Sequence, residues 1–168
     1  MENSQSQQAL SQIESARQYM LSLVEDFEPD QWFQMPNGME THLAWQIGHL
    51  AVAEYGLALF RRRGRLPEDR GIMPGVFRKQ FSRGTLPDSD PSNHSSGEEL
   101  LAIMARIHDQ VKSELASCKD VDLTDEVDLP YAGEPTKLGA LWFCAHHEML
   151  HAGQIGLLRR ALGKTPIR

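Results

Sequence analysis

Cysteine is scarce in this chain. Cys118 and Cys144 are its only two among 168 residues, and they form neither a C-x-x-C pair nor a disulfide framework. Long apolar runs are missing as well; none approaches the ~20 residues that a helix needs to cross a bilayer. Positive charge is in deficit, with a formal net charge of -6. That balance argues against nucleic acid or an anionic membrane as a partner, because both demand clustered cations. One local exception, Arg61-Arg62-Arg63 with Arg65, suits a helix C-terminus, where cations meet exposed carbonyls. The opening "MENSQSQQ" carries no basic n-region and no apolar h-region, so no signal peptide is predicted and the cytoplasm is the default address. Convincing strand alternation, internal repeats and low-complexity tracts are also lacking.

What remains is the composition of an ordinary globular protein, 40% hydrophobic and 24% charged, with residues 1–168 read as one domain. Leu10, Ile13, Met20, Val24 and Phe27 follow helical spacing, and Pro29 closes that segment. A second helix is predicted from about Thr41 to Arg63, with Gly64 where a C-cap residue belongs. Residues 64 to 95 mix glycines with Pro67, Pro74, Pro87 and Pro91, which predicts a long loop with one helical turn near Val76 to Phe81. Ser95 with Glu98 and Ser96 with Glu99 both fit a capping box, and the stripe Leu100, Met104, Ile107, Val111, Leu115 continues from them. Residues 119 to 135, acidic and ending in "YAGEP", predict a second loop or a short extended excursion. Thr136 can then cap a fourth helix to about Leu162, with Gly163 beyond. Four long helices in one domain make an all-α four-helix bundle the expected architecture.

Chemistry enters with "HHEMLHAGQ", in which His147-Glu148-Met149-Leu150-His151 spells H-E-x-x-H, the signature of zinc peptidases. Each helical residue advances about 100°, so the two histidines lie about 40° apart and can meet on one ion. A catalytic zinc usually has three protein ligands and an open position. Metzincins place the third on a histidine six residues after the second, but that residue here is Leu157. None of the 17 residues after His151 is Asp, Glu, His or Cys. The peptidase reading fails on this count, and no peptidase activity is expected. A third ligand must come from upstream, and "THLAWQIGHLAVAEYG" offers His49 in the second helix. A lone mid-helix histidine is ordinarily a satisfied core residue. Three neutral imidazoles buried together without an ion, however, would strand acceptor nitrogens.

"AWQIGHL" in one helix and "HHEMLHAGQIGLLRRALGK" in the last resemble the DinB-like (YfiT-like) family of metal-dependent enzymes, over nearly the whole chain. The resemblance implies a four-helix bundle with one divalent metal on His49, His147 and His151. It also implies a homodimer and, in some relatives, transfer chemistry with low-molecular-weight thiols; fold and site carry over better than reaction. Imidazole ligands suit zinc, nickel, iron and copper, and zinc or nickel is the expectation. Two catalytic candidates border the site. Glu148 is read either as a base toward water activated at the metal or as a solvated helix charge. Gln154, seven residues after His147, is read as a ligand-binding or histidine-steadying residue or as a polar residue satisfied elsewhere. Cys144 is read as small and buried rather than a fourth ligand. His42 lies about 10 Å from His49 along the helix, too far for the same ion. His146 is expected at the surface, His94 and His108 have no partner at ligand spacing, and Trp45 and Trp142 are read as core. Arg159 and Arg160 could attract an anion or merely complement the helix end.

The expectation is therefore a metal-dependent enzyme acting on a small molecule, a thiol transferase or a hydrolase, with no nucleic acid or membrane partner. The alternatives are a non-catalytic, stress-related metal or small-ligand binder, and a plain bundle with structural histidines. Metal affinity is expected to fall below about pH 6.5, where protons compete for ordinary imidazoles.

Overall fold

A computed structural model describes residues 4–36, 38–129 and 132–167. Among them the chain is all-helical, without a strand, and one isolated bridge pairs Glu126 with Thr136. Four long elements make the bundle. Helix α1 is Gln5–Val24, opened by a capping box between Ser4 and Gln7. Helix α2 begins as Leu43–Glu54, passes without a break into a π-helical stretch Tyr55–Phe60, and ends in the turn Arg61–Arg63. Helix α5 is Gly97–Leu115 and helix α6 is Lys137–Ala161. Between α2 and α5 lie two short helices, α3 (Asp69–Ile72) and α4 (Gly75–Phe81).

The capping chemistry chooses among the predicted starts. Of the two overlapping boxes before α5, the chain uses Ser96 with Glu99. Thr136 caps α6 through Gly139 N–H as expected, and Gly64 and Gly163 take positive φ of 79° and 76° at their helix ends. Helix α2 starts two residues later than Thr41. Its N-cap is His42, whose Nδ1 accepts from Trp45 N–H at 3.1 Å while its Nε2 donates to the Asp88 carbonyl at 2.9 Å. The 64 to 95 segment is more structured than a loop with one turn, since α3 and α4 both fall inside it. Of the predicted second loop, a 3-10 turn Asp120–Leu123 and the Glu126–Thr136 bridge are seen, while Pro130 and the first residue of "YAGEP", Tyr131, lie outside the described residues.

Helix α1 packs most extensively on α6, and α2 lies against both α5 and α6. Of the apolar stripes named from the sequence, Ile13, Met20, Leu100, Met104, Ile107 and Val111 are buried there, together with Ile47 of α2 and Ile155 of α6. Helix α4 is held on α2 by the Phe81 ring. A Cβ on Gly48 would come within 2.4 Å of that ring, so only glycine permits this approach. No described helix is long and apolar enough to cross a membrane.

Candidate metal centre

The three histidines come together where α2 faces α6. His49, His147 and His151 each offer a ring nitrogen, and these atoms lie within 4.8 Å of one another, an arrangement that could hold a metal ion. Ring centroids are 5.3 Å apart for His49–His147, 4.9 Å for His49–His151 and 4.5 Å for His147–His151. The i and i+4 spacing on α6 produces the last pair directly. Tertiary packing supplies the first two.

Two rings are oriented by acceptors on their Nδ1 side. His49 Nδ1–H donates to the Phe81 carbonyl at 2.9 Å, and His151 Nδ1–H donates to Gln46 Oε1 at 2.5 Å. Both bonds leave Nε2 as the nitrogen with a free lone pair, which is what a metal ligand needs. Gln46 is 1% exposed; its amide nitrogen donates to Thr41 Oγ1 and to Gln154 Oε1, each at 2.9 Å. A relay therefore runs from Gln154 through Gln46 to His151. Trp45 stacks on His49 with centroids 4.7 Å apart and planes 5° from parallel. Its indole N–H donates to Thr85 Oγ1 at 3.1 Å.

Burial pushes all three imidazoles toward neutrality. His147 falls to about 4, through burial and then the neighbouring His49. His151 falls to about 3, through burial and then His147 and His49. His49 is lowered by burial, partly offset by its bond to the Phe81 carbonyl. Neutral rings with defined lone pairs fit a divalent cation.

A family model described as the DinB superfamily matches residues 12–155. The chain belongs to the DinB superfamily. A search of curated proteins gave no significant match. Within this DinB bundle the other residues singled out from the sequence have these places.

Glu148 stands apart from the histidines. Arg17 of α1 donates to it through Nε at 2.5 Å and Nη2 at 3.2 Å, and the same Nη2 donates to Glu54 Oε2 at 2.8 Å. His108 Nδ1 closes the network on Glu54 Oε1 at 2.7 Å. Burial raises the Glu148 pKa and Arg17 only partly offsets it; burial also opposes charge on Glu54, but Arg17 and His108 outweigh it and hold that carboxyl lower. Neither reading from the sequence, base or solvated charge, anticipated a carboxylate that is 2% exposed and engaged at both oxygens by an arginine. Gln154 is exposed and reaches the cluster only through Gln46.

Cys144 is buried, with its thiol pushed well above its ordinary pKa by burial, and is not among the clustered ligands. His146 is exposed, and His94 Nε2–H donates to the Asp88 carbonyl at 2.8 Å. Trp45 and Trp142, expected in the core, are half-buried and packed against it, and Trp45 also stacks on a candidate ligand. Arg159 is 1% exposed and pairs with Asp26, which removes it as an anion attractor, while Arg160 is exposed. The sequence reading passed over Gln46, Gly48 and Phe81. A buried glutamine one turn before a candidate ligand was the one available signal.

Proposed function

We propose that this chain is a metal-dependent enzyme that holds one divalent ion on His49, His147 and His151 and acts on a small molecule in the cleft beside them. The observation that carries this reading is the pair of Nδ1 bonds, to the Phe81 carbonyl and to Gln46, which leave Nε2 lone pairs on two of three clustered rings. A divalent ion on three neutral ligands would supply Lewis acidity, lowering the pKa of a bound water or thiol. The cleft of about 600 Å³ opens on His49 and His147 and is lined by apolar Val52, Leu57 and Phe143 and by Arg61 and Arg83.

Among the described residues no carboxylate lines this cleft. That favours thiol transfer over hydrolysis. A thiol titrates near 8.5 unaided and water near 15.7, so the thiol needs far less help from a protein base. The same observation is what a non-catalytic, small-ligand binder would show, and turnover separates the two.

The test has two stages. Protein purified without an affinity tag should carry about one divalent ion per chain by elemental analysis; a metal-free preparation that also fails to bind zinc, nickel or cobalt removes the reading. A screen of low-molecular-weight thiols against alkylating electrophiles should then show metal-dependent turnover. Metal bound tightly with no turnover on any pair would favour the binder.

A further inference from the structure

One guanidinium in the cleft has no anion of its own. Arg17, Arg62, Arg63 and Arg159 each pair with a carboxylate. Arg61 has no such partner among the described residues. Its Nη1–H donates to the Gly56 carbonyl at 3.0 Å, and its Nε–H makes a long bond of 3.5 Å to the Asp128 carbonyl. These two bonds fix the side chain but leave its charge unneutralised. Of the five guanidinium N–H groups, one on Nη1 and both on Nη2 remain, and the edge they form matches the two oxygens of a carboxylate.

The π-helical stretch explains how this head group reaches the cleft. Arg61 N–H bonds to the Gly56 carbonyl, five residues back, and its side chain returns to the same oxygen. Gly56 itself lines the cleft. Being seven residues past His49, it lies about 10 Å further along the helix axis. The wall between is apolar, from Val52, Leu57 and Phe143. The cleft thus has a candidate metal at one end, an unpaired cation at the other, and a greasy middle.

We infer that Arg61 is the specificity residue of this cleft, anchoring the carboxylate of a small molecule whose apolar mid-section spans the distance to the histidines. The inference rests on the cleft being the substrate site proposed above. A fork with three free N–H groups and a single positive charge suits a monoanionic carboxylate. Substrates lacking the anion leave the guanidinium desolvated and unpaired, and bind more weakly.

Binding of 4-phenylbutanoate and of 4-phenylbutan-1-ol, measured by NMR titration of the metal-free and the cobalt-loaded protein, tests this. The acid is expected to bind about tenfold or more tightly than the alcohol, the preference of a charged over a neutral hydrogen-bonding partner. Arg61→Gln should abolish that preference and leave the alcohol affinity unchanged, while Arg61→Lys, which keeps charge but loses the fork, should retain part of it. Arg65→Gln, which removes an exposed charge outside the cleft, should leave the preference intact. Equal affinity of acid and alcohol for the unaltered protein overturns the inference. So does a preference that survives Arg61→Gln, which would put the anion on Arg83 or, if it survives only in the cobalt-loaded protein, on the metal, or one that Arg65→Gln removes equally, which would make it long-range. Absence of the cobalt absorption bands would defeat the metal reading alone, and the metal-free arm would still decide the role of Arg61.

Discussion

Replacing Gln46 with leucine tests the metal centre through a residue that cannot itself be a ligand. His151 is 8% exposed and its Nδ1–H has one acceptor, Gln46 Oε1 at 2.5 Å. Leucine is of similar size and removes that acceptor. In the metal-free protein the ring can escape the penalty by moving its proton to Nε2. With metal bound it cannot, because Nε2 must keep its lone pair. The cost of a buried unsatisfied N–H, about 1–3 kcal/mol, therefore falls on the metal-bound state alone. At 1.36 kcal/mol per tenfold that is a loss of roughly 10–100-fold in affinity, the range typical of partners that orient a ligating histidine. Zinc competition against a chromophoric chelator at pH 7.5 measures it, with the melting temperature of the metal-free protein as control. Gln46→Glu, offering a stronger acceptor, should bind metal at least as tightly as the parent. An affinity within about threefold of the parent in Gln46→Leu, with the fold intact, would refute the reasoning. Gln154→Ala should cost less than about threefold, because Gln154 is exposed and its hydrogen bond is to the amide of Gln46, not to a histidine.

Alanine at His49, His147 or His151 should each remove most of the bound metal by elemental analysis, and unchanged content in His49→Ala would sink the three-histidine assignment. The metal-free protein should lose stability as pH drops from about 6.5 towards about 4, since His147 and His151 sit near 4 and 3 when folded and the unfolded chain takes up the protons first. A melting temperature that stays level across that window in the parent would contradict the depressed values. For the same reason metal affinity of the folded protein should fall less steeply below about pH 6.5 than ordinary imidazoles would dictate; a loss as steep as that of ordinary imidazoles in a zinc titration would show that the rings titrate normally. Glu148→Gln should lower stability by about 1–3 kcal/mol in denaturant melts while metal content and any turnover hold; a hundredfold loss of rate with the fold intact would restore its role as a base. Gly48→Ala should displace the Phe81 ring and with it the carbonyl that orients His49, weakening metal binding about tenfold; undiminished affinity would show that this carbonyl is dispensable.

Features that depend on near neighbours in sequence were legible. The histidine pair on α6, the Ser96 box and the glycines ending α2 and α6 each rest on three or four consecutive positions. Helix boundaries with uncommon chemistry were not. His42 caps α2 with a ring nitrogen where Ser, Thr, Asp or Asn is the usual choice. Nothing in the letters of Tyr55–Phe60 distinguishes π from α. The orientation of the site was hidden for a related reason. The Phe81 carbonyl is backbone and carries no letter, and Gln46 meets His151 across 105 positions of chain. Arg17 likewise reaches Glu148 across 131 positions. Side chains that hold a site are chosen by the packed bundle, and the sequence marks them only as polar residues at apolar positions.

The five letters H-E-x-x-H mean different things according to where the third ligand arrives. Glu148 lies about 100° from His147 around α6 and about 60° from His151, so it flanks the ligand face without sharing it. In a peptidase the third ligand follows on the same stretch of chain and the carboxylate is left on the open side, beside water. Here the third histidine comes from α2, and the cleft opens between α2 and α6 over His49 and His147. Glu148 is turned instead towards α1, where Arg17 takes both of its oxygens. That ion pair sits next to His147 and three residues before His151, and ties α6 to the helix it packs on most extensively. Rotation of α6 about its axis would carry the histidines away from His49 and would pull Glu148 off Arg17. The same buried carboxylate, engaged by Arg17 at both oxygens, therefore fixes the angle at which α6 presents its two imidazoles.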